Sequence, residues 1–295
     1  TLCVDIMYVN TIPFLLTISR KIKFGTIEAL DGQTASKLFK AIQNVARVYH
    51  NGGFRVRHVL MDGQFECLRG PLLGIQALLN TTSRDEHVGD IERYVRTTKD
   101  RMRCTYTTTP FTVMCHRMVI ELAMRSVFWL NAFPATDGIS STLSPRTIVT
   151  GQTVHHDRHC TYDFGQYVQT HEEHDNTMAP RTVGALAMRP TGNVQGSFYF
   201  LSLDTGRIIN RLHATPLPMP NEVIDRVRRL ARQQKANIGL VFLDWNRQPF
   251  IDDDDDDDAE EQSVDGGHDD NDDDDDDDDM DDDSYHPDDN ADESD

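Results

Sequence analysis

Leu2-Cys3-Val4-Asp5-Ile6-Met7-Tyr8-Val9 is an apolar run broken by one carboxylate, and its reading decides the fold. Such a run, closed by Asn10-Thr11, predicts a buried strand. Burying an aspartate there is unfavourable unless its charge is compensated, and a divalent cation is one partner that does so. The next apolar runs, 12–19 and 22–30, are separated by the short break Arg20-Lys21, which favours an antiparallel meander. Residues 34–49 then carry Ala35, Leu38, Ala41, Ile42, Val45 and Val48 at helical spacing, and Asn51-Gly52-Gly53 stops the helix. Val56-Arg57-His58-Val59-Leu60-Met61-Asp62 reads as a fourth strand, ending on a second carboxylate before Gly63.

Further along, 65–80 reads as a short helix or helix-loop, and 88–103 as a helix whose sparse apolar side is Val88, Ile91, Val95 and Met102. A long apolar helix is expected from Pro110 through Trp129, stopped by Asn131 and Pro134. Phe128 and Trp129 on it read as packing groups. Residues 136–160 form a loop-rich connection. A small β unit follows, with strands near 164–170, 181–189, 196–203 and 207–213, and then a basic amphipathic helix from Glu222 to Gln234. The expected division is a core over 1–135, a connection over 136–160, a β-rich module with its helix over 161–235, and an acidic tail over 252–295.

The net charge of −20 conceals two opposite segments. Residues 252–295 hold 28 of the 49 acidic residues and no Lys or Arg, leaving 21 acids against 29 bases, a net +8, in residues 1–251. The tail's Asp runs repel one another and offer too little apolar surface to fold, so it is expected to be disordered. Its simplest reading is low-complexity solvation; a second is a DNA mimic or a tether for basic proteins. Five scattered cysteines argue for reduced thiols rather than a disulfide framework. No apolar run approaches the ~18 residues of a spanning helix, so no membrane role is expected. The opening Thr1, leading directly into a strand, suggests a fragment cut from a longer product.

Strand-strand-strand-helix-strand, with carboxylates on the first and fourth strands, is the order of the ribonuclease-H-like fold. The third carboxylate is Glu92, which opens Glu92-Arg93-Tyr94-Val95-Arg96-Thr97-Thr98-Lys99. With Val4-Asp5, Met61-Asp62-Gly63-Gln64-Phe65 and Glu92-Arg93, the chain resembles the integrase region of copia-type (Ty1/copia) retrotransposon polyproteins. Leu130-Asn131-Ala132-Phe133-Pro134, Ser144-Pro145-Arg146, Thr150-Gly151 and Phe164-Gly165-Gln166-Tyr167 fit the same resemblance, which covers about residues 1–230. It implies an α/β fold, with a ribonuclease-H-like mixed sheet flanked by helices and followed by a small β-rich module. It also implies a catalytic and metal-binding set of Asp5, Asp62 and Glu92, holding Mg2+ with Mn2+ able to substitute. The activity implied is metal-dependent polynucleotidyl transfer, comprising 3′-end processing and strand transfer. Element and target DNA would be the partners, in a homo-oligomer acting in the nucleus, with no small-molecule substrate.

Glu92, Arg96, Lys99 and Arg103 fall at i, i+4, i+7 and i+11, one helix face, so positive charge would stand beside the third carboxylate where a phosphate must lie. Arg93 lies off that line and is a second candidate for backbone phosphates. Each carboxylate alone has an ordinary reading: a strand-edge Asp5, an Asp62-Gly63 turn, a salt-bridged Glu92 helix face. Glu66 and Glu86 compete for the third place, because the 29 residues between Asp62 and Glu92 are fewer than the family uses. His155-His156-Asp157-Arg158-His159-Cys160 and His171-Glu172-Glu173-His174 lack the paired spacing of a zinc site and read as polar loop histidines; no zinc is expected. The zinc module that precedes such cores is not seen. Two other functions stay open: an inactive or domesticated remnant that binds DNA or chromatin, and a ribonuclease-H-like nuclease.

Overall fold

β1 (Leu2–Val9) lies inside the first sheet because it is apolar on both sides. Leu2, Val4, Ile6 and Tyr8 pack on one face, and Cys3, Met7 and Val9 on the other. The description comes from a computed structural model and covers residues 1–82, 89–172, 180–243 and, singly, 176, 178 and 248. β2 (Ile12–Ser19) pairs antiparallel with β1, and β3 (Gly25–Ala29) antiparallel with β2, which is the expected meander. α1 (Ala35–Asn51) returns the chain to β4 (His58–Asp62), which runs parallel to β1. A 3-10 turn over Gly63–Leu68 and α2 (Arg69–Gly74) lead to β5 (Leu78–Thr82), parallel to β4. The order β3-β2-β1-β4-β5, antiparallel then parallel, is a ribonuclease-H-like mixed sheet.

Helices cover both faces. Leu38, Ala41, Ile42, Val45 and Tyr49, one stripe of α1, bury the even-numbered side of β1. The odd side is covered by α3 (Gly89–Thr107) and α4 (His116–Leu130). α4 begins six residues later than the Pro110 start expected from sequence. Residues 110–115 are instead irregular, with Phe111 and Met114 buried and Val113 bridged to Ile238. Gly52, after α1, is where α5 (Pro145–Thr150) meets it, and a Cβ there would lie 2.0 Å from the Val149 carbonyl oxygen.

After α6 (His156–His159) comes a second sheet. β6 (Tyr167–His171), β7 (Thr182–Pro190), β8 (Phe198–Ser202), β9 (Ile208–Arg211) and β10 (Ala214–Pro216) are ordered β10-β6-β7-β8-β9, all antiparallel. α7 (Asn221–Gln233) then buries Val223, Val227 and Ala231. Those residues, with Leu186, Met188 and Leu201 of the second sheet, join the same core as Met118, Val119 and Leu122 of α4. Glu121 of α4 and Arg189 of β7 form a buried ion pair at 2.7 Å, and the Arg189 guanidinium lies 4.3 Å over the Tyr199 ring. A smaller cluster of Tyr162, Val168, Ala185, Ala187, Phe198 and Phe200 fills the sheet's other face. The chain returns as β11 (Phe242–Leu243), antiparallel to β1 through Tyr8 and Val9. Neither β5 nor β11 was expected from sequence. All five cysteines are free, and no helix among the described residues is long and apolar enough to cross a membrane. The acidic tail lies outside the described residues.

Candidate active site

Strand register brings the first two carboxylates together. β1 and β4 run parallel with Leu2 opposite Val59 and Cys3 opposite Leu60, so the same register carried forward sets Asp5 level with Asp62. Side chains alternate along a strand. Asp5 therefore shares the face of Cys3 and Met7, and Asp62 that of Leu60, all on the side covered by α3. Glu92 stands in the first turn of α3.

Asp5 feels both neighbours. Its carboxyl is pushed up to about 6, mainly by burial and further by the charges of Asp62 and Glu92; the Ile6 amide and Lys99 oppose the shift. The Ile6 N–H donates to Oδ1 of Asp5 at 2.7 Å. By surface area Asp5 keeps some solvent contact, whereas Asp62 and Glu92 are exposed. Burial therefore acts through crowding by the surrounding strands rather than complete enclosure. Among the described residues, no group of three or more His, Cys, Asp or Glu side chains lies close enough to hold one metal ion. The three carboxylates share an electrostatic field without sharing a coordination sphere as the side chains stand.

α3 is fixed to the sheet at its start. Asp90 accepts from Arg20 at 3.0 Å and from Lys23 at 2.9 Å, and these cations hold its carboxyl below the usual range. One turn on, Tyr94 is buried against Gly25 of β3, where a Cβ would fall 1.9 Å from the tyrosine oxygen. Asn131 clamps the same glycine: its Oδ1 accepts from the Gly25 N–H at 2.8 Å, and its Nδ2 donates to the Gly25 carbonyl at 2.7 Å. Asn131, read from sequence as a helix stop and as part of the Leu130–Pro134 motif, is thus the link from α4 to the sheet edge.

The basic residues of α3 divide in a way the sequence did not suggest. Arg93 and Arg96 are exposed as expected. Arg93 faces a cleft of about 460 Å3 with Thr97, Arg101, Trp129 and Phe133, off the Glu92 line. Lys99 is only 5% exposed, which corrects its assignment to an open phosphate-facing stripe. Its Nζ lies 5.8 Å over the ring of Phe242, and its charge favours ionised Asp5. Arg103 pairs with Asp100 at 2.8 Å and stands 4.9 Å over the same ring. Phe242 was not among the sequence candidates, although the apolar run Leu240-Val241-Phe242-Leu243, between Gly239 and Asp244, is a signal for a short strand.

Of the competing carboxylates, Glu66 is bound by Arg69 and reached by Thr81 at 3.3 Å, with Arg69 drawing its carboxyl below the usual range. Glu86 lies outside the described residues. His159 is buried and hydrogen-bonded: Nδ1 accepts from the His155 N–H at 3.0 Å, and Nε2 lies 2.9 Å from the Asn193 carbonyl. His171 lies 3.1 Å from the Thr215 hydroxyl, and the run's Glu173 and His174 fall outside the described residues.

No family model matches the sequence, and no curated protein is significantly similar to it. Among solved structures, the catalytic core domain of BIV integrase (crystal form I) is similar at 16% identity. The match covers 51% of this chain and 93% of that one, with a TM-score of 0.37.

Proposed function

We propose that the chain is the catalytic region of a copia-type integrase, a metal-dependent polynucleotidyl transferase acting on DNA. The observation that supports this is the convergence of Asp5 and Asp62 on one face of the sheet, with Glu92 near enough to raise the Asp5 carboxyl. The donor set suits hard divalent cations: oxygen ligands only, one of them destabilised as a bare anion in its surroundings. Asp5, Asp62 and Glu92 would hold Mg2+, or Mn2+ in its place. When bound, the metal pair supplies Lewis-acid stabilisation of the attacking and leaving oxygens of a phosphodiester.

The chain's own residues do the rest. Asp5 is the fixed ligand, its Oδ1 oriented by the Ile6 amide. Asp62 and Glu92 are exposed and close the set from β4 and α3. Arg96, on the same helix face as Glu92, offers charge to DNA phosphates there, and Arg93 offers charge from the neighbouring cleft. On this reading the reaction takes place in the nucleus, with a homo-oligomer bringing two DNA ends together.

Mn2+-dependent strand transfer by the wild-type chain and by Glu92→Gln tests the reading. Product from the wild type alone is expected, and equal product from both would remove Glu92 from the mechanism. A second reading, a catalytically silent DNA-binding remnant, is favoured by the spacing of the carboxylates as they stand. Absence of product from either protein, with DNA binding retained, would support it.

A further inference from the structure

We infer that Phe242, delivered by the strap that returns from α7, is a positioning residue for the catalytic face of α3. The inference rests on the proposed function for its catalytic consequence, but its structural part stands on contacts alone. β4 is paired with β1 at Leu2 and Cys3, while β11 takes up pairing with β1 at Tyr8 and Val9. Asp5 lies on the stretch of β1 between these two pairings. The strap is anchored on both sides of its path. Asn10 receives a hydrogen bond from the Val241 N–H at 2.7 Å and donates from Nδ2 to the Gly239 carbonyl at 3.0 Å. The Gly239 N–H in turn donates to the Thr112 carbonyl at 2.9 Å.

These anchors fix Phe242 in the core on the α3 side, while Leu243 turns to the α1 side. The buried ring then presents its π face to both Lys99 and Arg103. Lys99 and Arg103 are seven and eleven positions beyond Glu92, along the same helix face. A residue from beyond α7 therefore sets where that face stands relative to Asp5. Two features of the ring are separable: its volume, which any large apolar residue supplies, and its π face, which only an aromatic residue supplies.

The test uses the full chain with Phe242→Leu and Phe242→Tyr. Lys99 accessibility is read by amine acetylation and mass spectrometry, and strand transfer is followed with DNA and Mn2+. The tyrosine variant is expected to keep Lys99 protected and activity near wild type. The leucine variant is expected to acetylate Lys99 readily and to lose roughly tenfold to a hundredfold in kcat, with KM little changed, as a displaced catalytic face would. Leucine and tyrosine variants that behave alike in Lys99 protection would reduce Phe242 to core filling and overturn the inference. If the wild type shows no transfer but Lys99 protection still follows the aromatic ring, the positioning stands and the catalytic reading alone fails.

Discussion

Asp5→Asn is expected to make the metal-free protein more stable at neutral pH. In the folded chain the Asp5 carboxyl is pushed up to about 6 from 3.8, chiefly by burial. That displacement corresponds to roughly 3 kcal/mol between protonation states. The direction follows from linkage: below pH 3.8 the carboxyl is protonated whether folded or not, so Asp5 imposes no penalty. As pH rises towards 6 the unfolded chain ionises first and stability falls; above 6 the whole penalty is present. Asparagine keeps an oxygen to accept the Ile6 N–H and removes the charge facing Asp62 and Glu92. In EDTA at pH 8 the variant should melt roughly 6–12 °C above wild type, at ~2–4 °C per kcal/mol for a unit of this size. At pH 4 the two should nearly coincide. Adding Mg2+ should raise the wild type, by about 2.7 kcal/mol at a hundredfold excess over Kd, and leave the variant unmoved. Thermal denaturation across pH 4–8, with and without Mg2+, measures all three. A wild-type–variant gap that does not widen with pH would refute the electrostatic account of Asp5.

Other outcomes follow from separate contacts. Asn131→Ala removes both hydrogen bonds to Gly25 and should destabilise by about 2–4 kcal/mol, read by urea denaturation, since two buried backbone groups lose their partners. Arg189→Met strands the Glu121 carboxylate and should lower stability by roughly 3–5 kcal/mol, whereas Glu121→Leu with Arg189→Met should recover most of it. Gly25→Ala should abolish the native Tyr94 packing, seen as altered tyrosine fluorescence, because the new methyl meets the tyrosine oxygen. Deleting residues 252–295 changes the net charge from −20 to +8 and should tighten non-specific DNA binding at matched salt; unchanged affinity would dismiss a DNA-mimic role for those residues.

The first sheet was readable because its signals are local. β1, β2 and β3 are apolar runs joined by two- to five-residue breaks, and the α1 stripe repeats at helical spacing. The parity of Asp5 and Asp62 follows from the same alternation. What escaped was non-local. Leu78-Leu79-Asn80-Thr81-Thr82 carries little strand signal, and only pairing with β4 makes it β5. The residues after Pro110 looked like a helix start because proline suits that position, but Val113 is drawn into a bridge with Ile238. Lys99 belonged to a basic stripe by count, whereas in the fold it is buried with its Nζ over the ring of the returning Phe242. Asn131 was legible as a helix stop and Gly25 only as part of the run 22–30; their mutual hydrogen bonds required the sheet edge and α4 to meet.

The pairing of β11 with β1 bears on the order in which the molecule is made. β1 is made well before β11, and Asn10 closes its hydrogen bonds with Val241, 231 positions later. While the ribosome is still producing the intervening chain, the edge of β1 beyond β4 has no strand to meet. An unpaired, apolar strand edge is a template for wrong partners, and contacts of such long range are slow to form. The stretch of β1 that carries Asp5 therefore waits for β11 before its edge is completed. A nascent chain released before residue 243 would present that open edge to other chains.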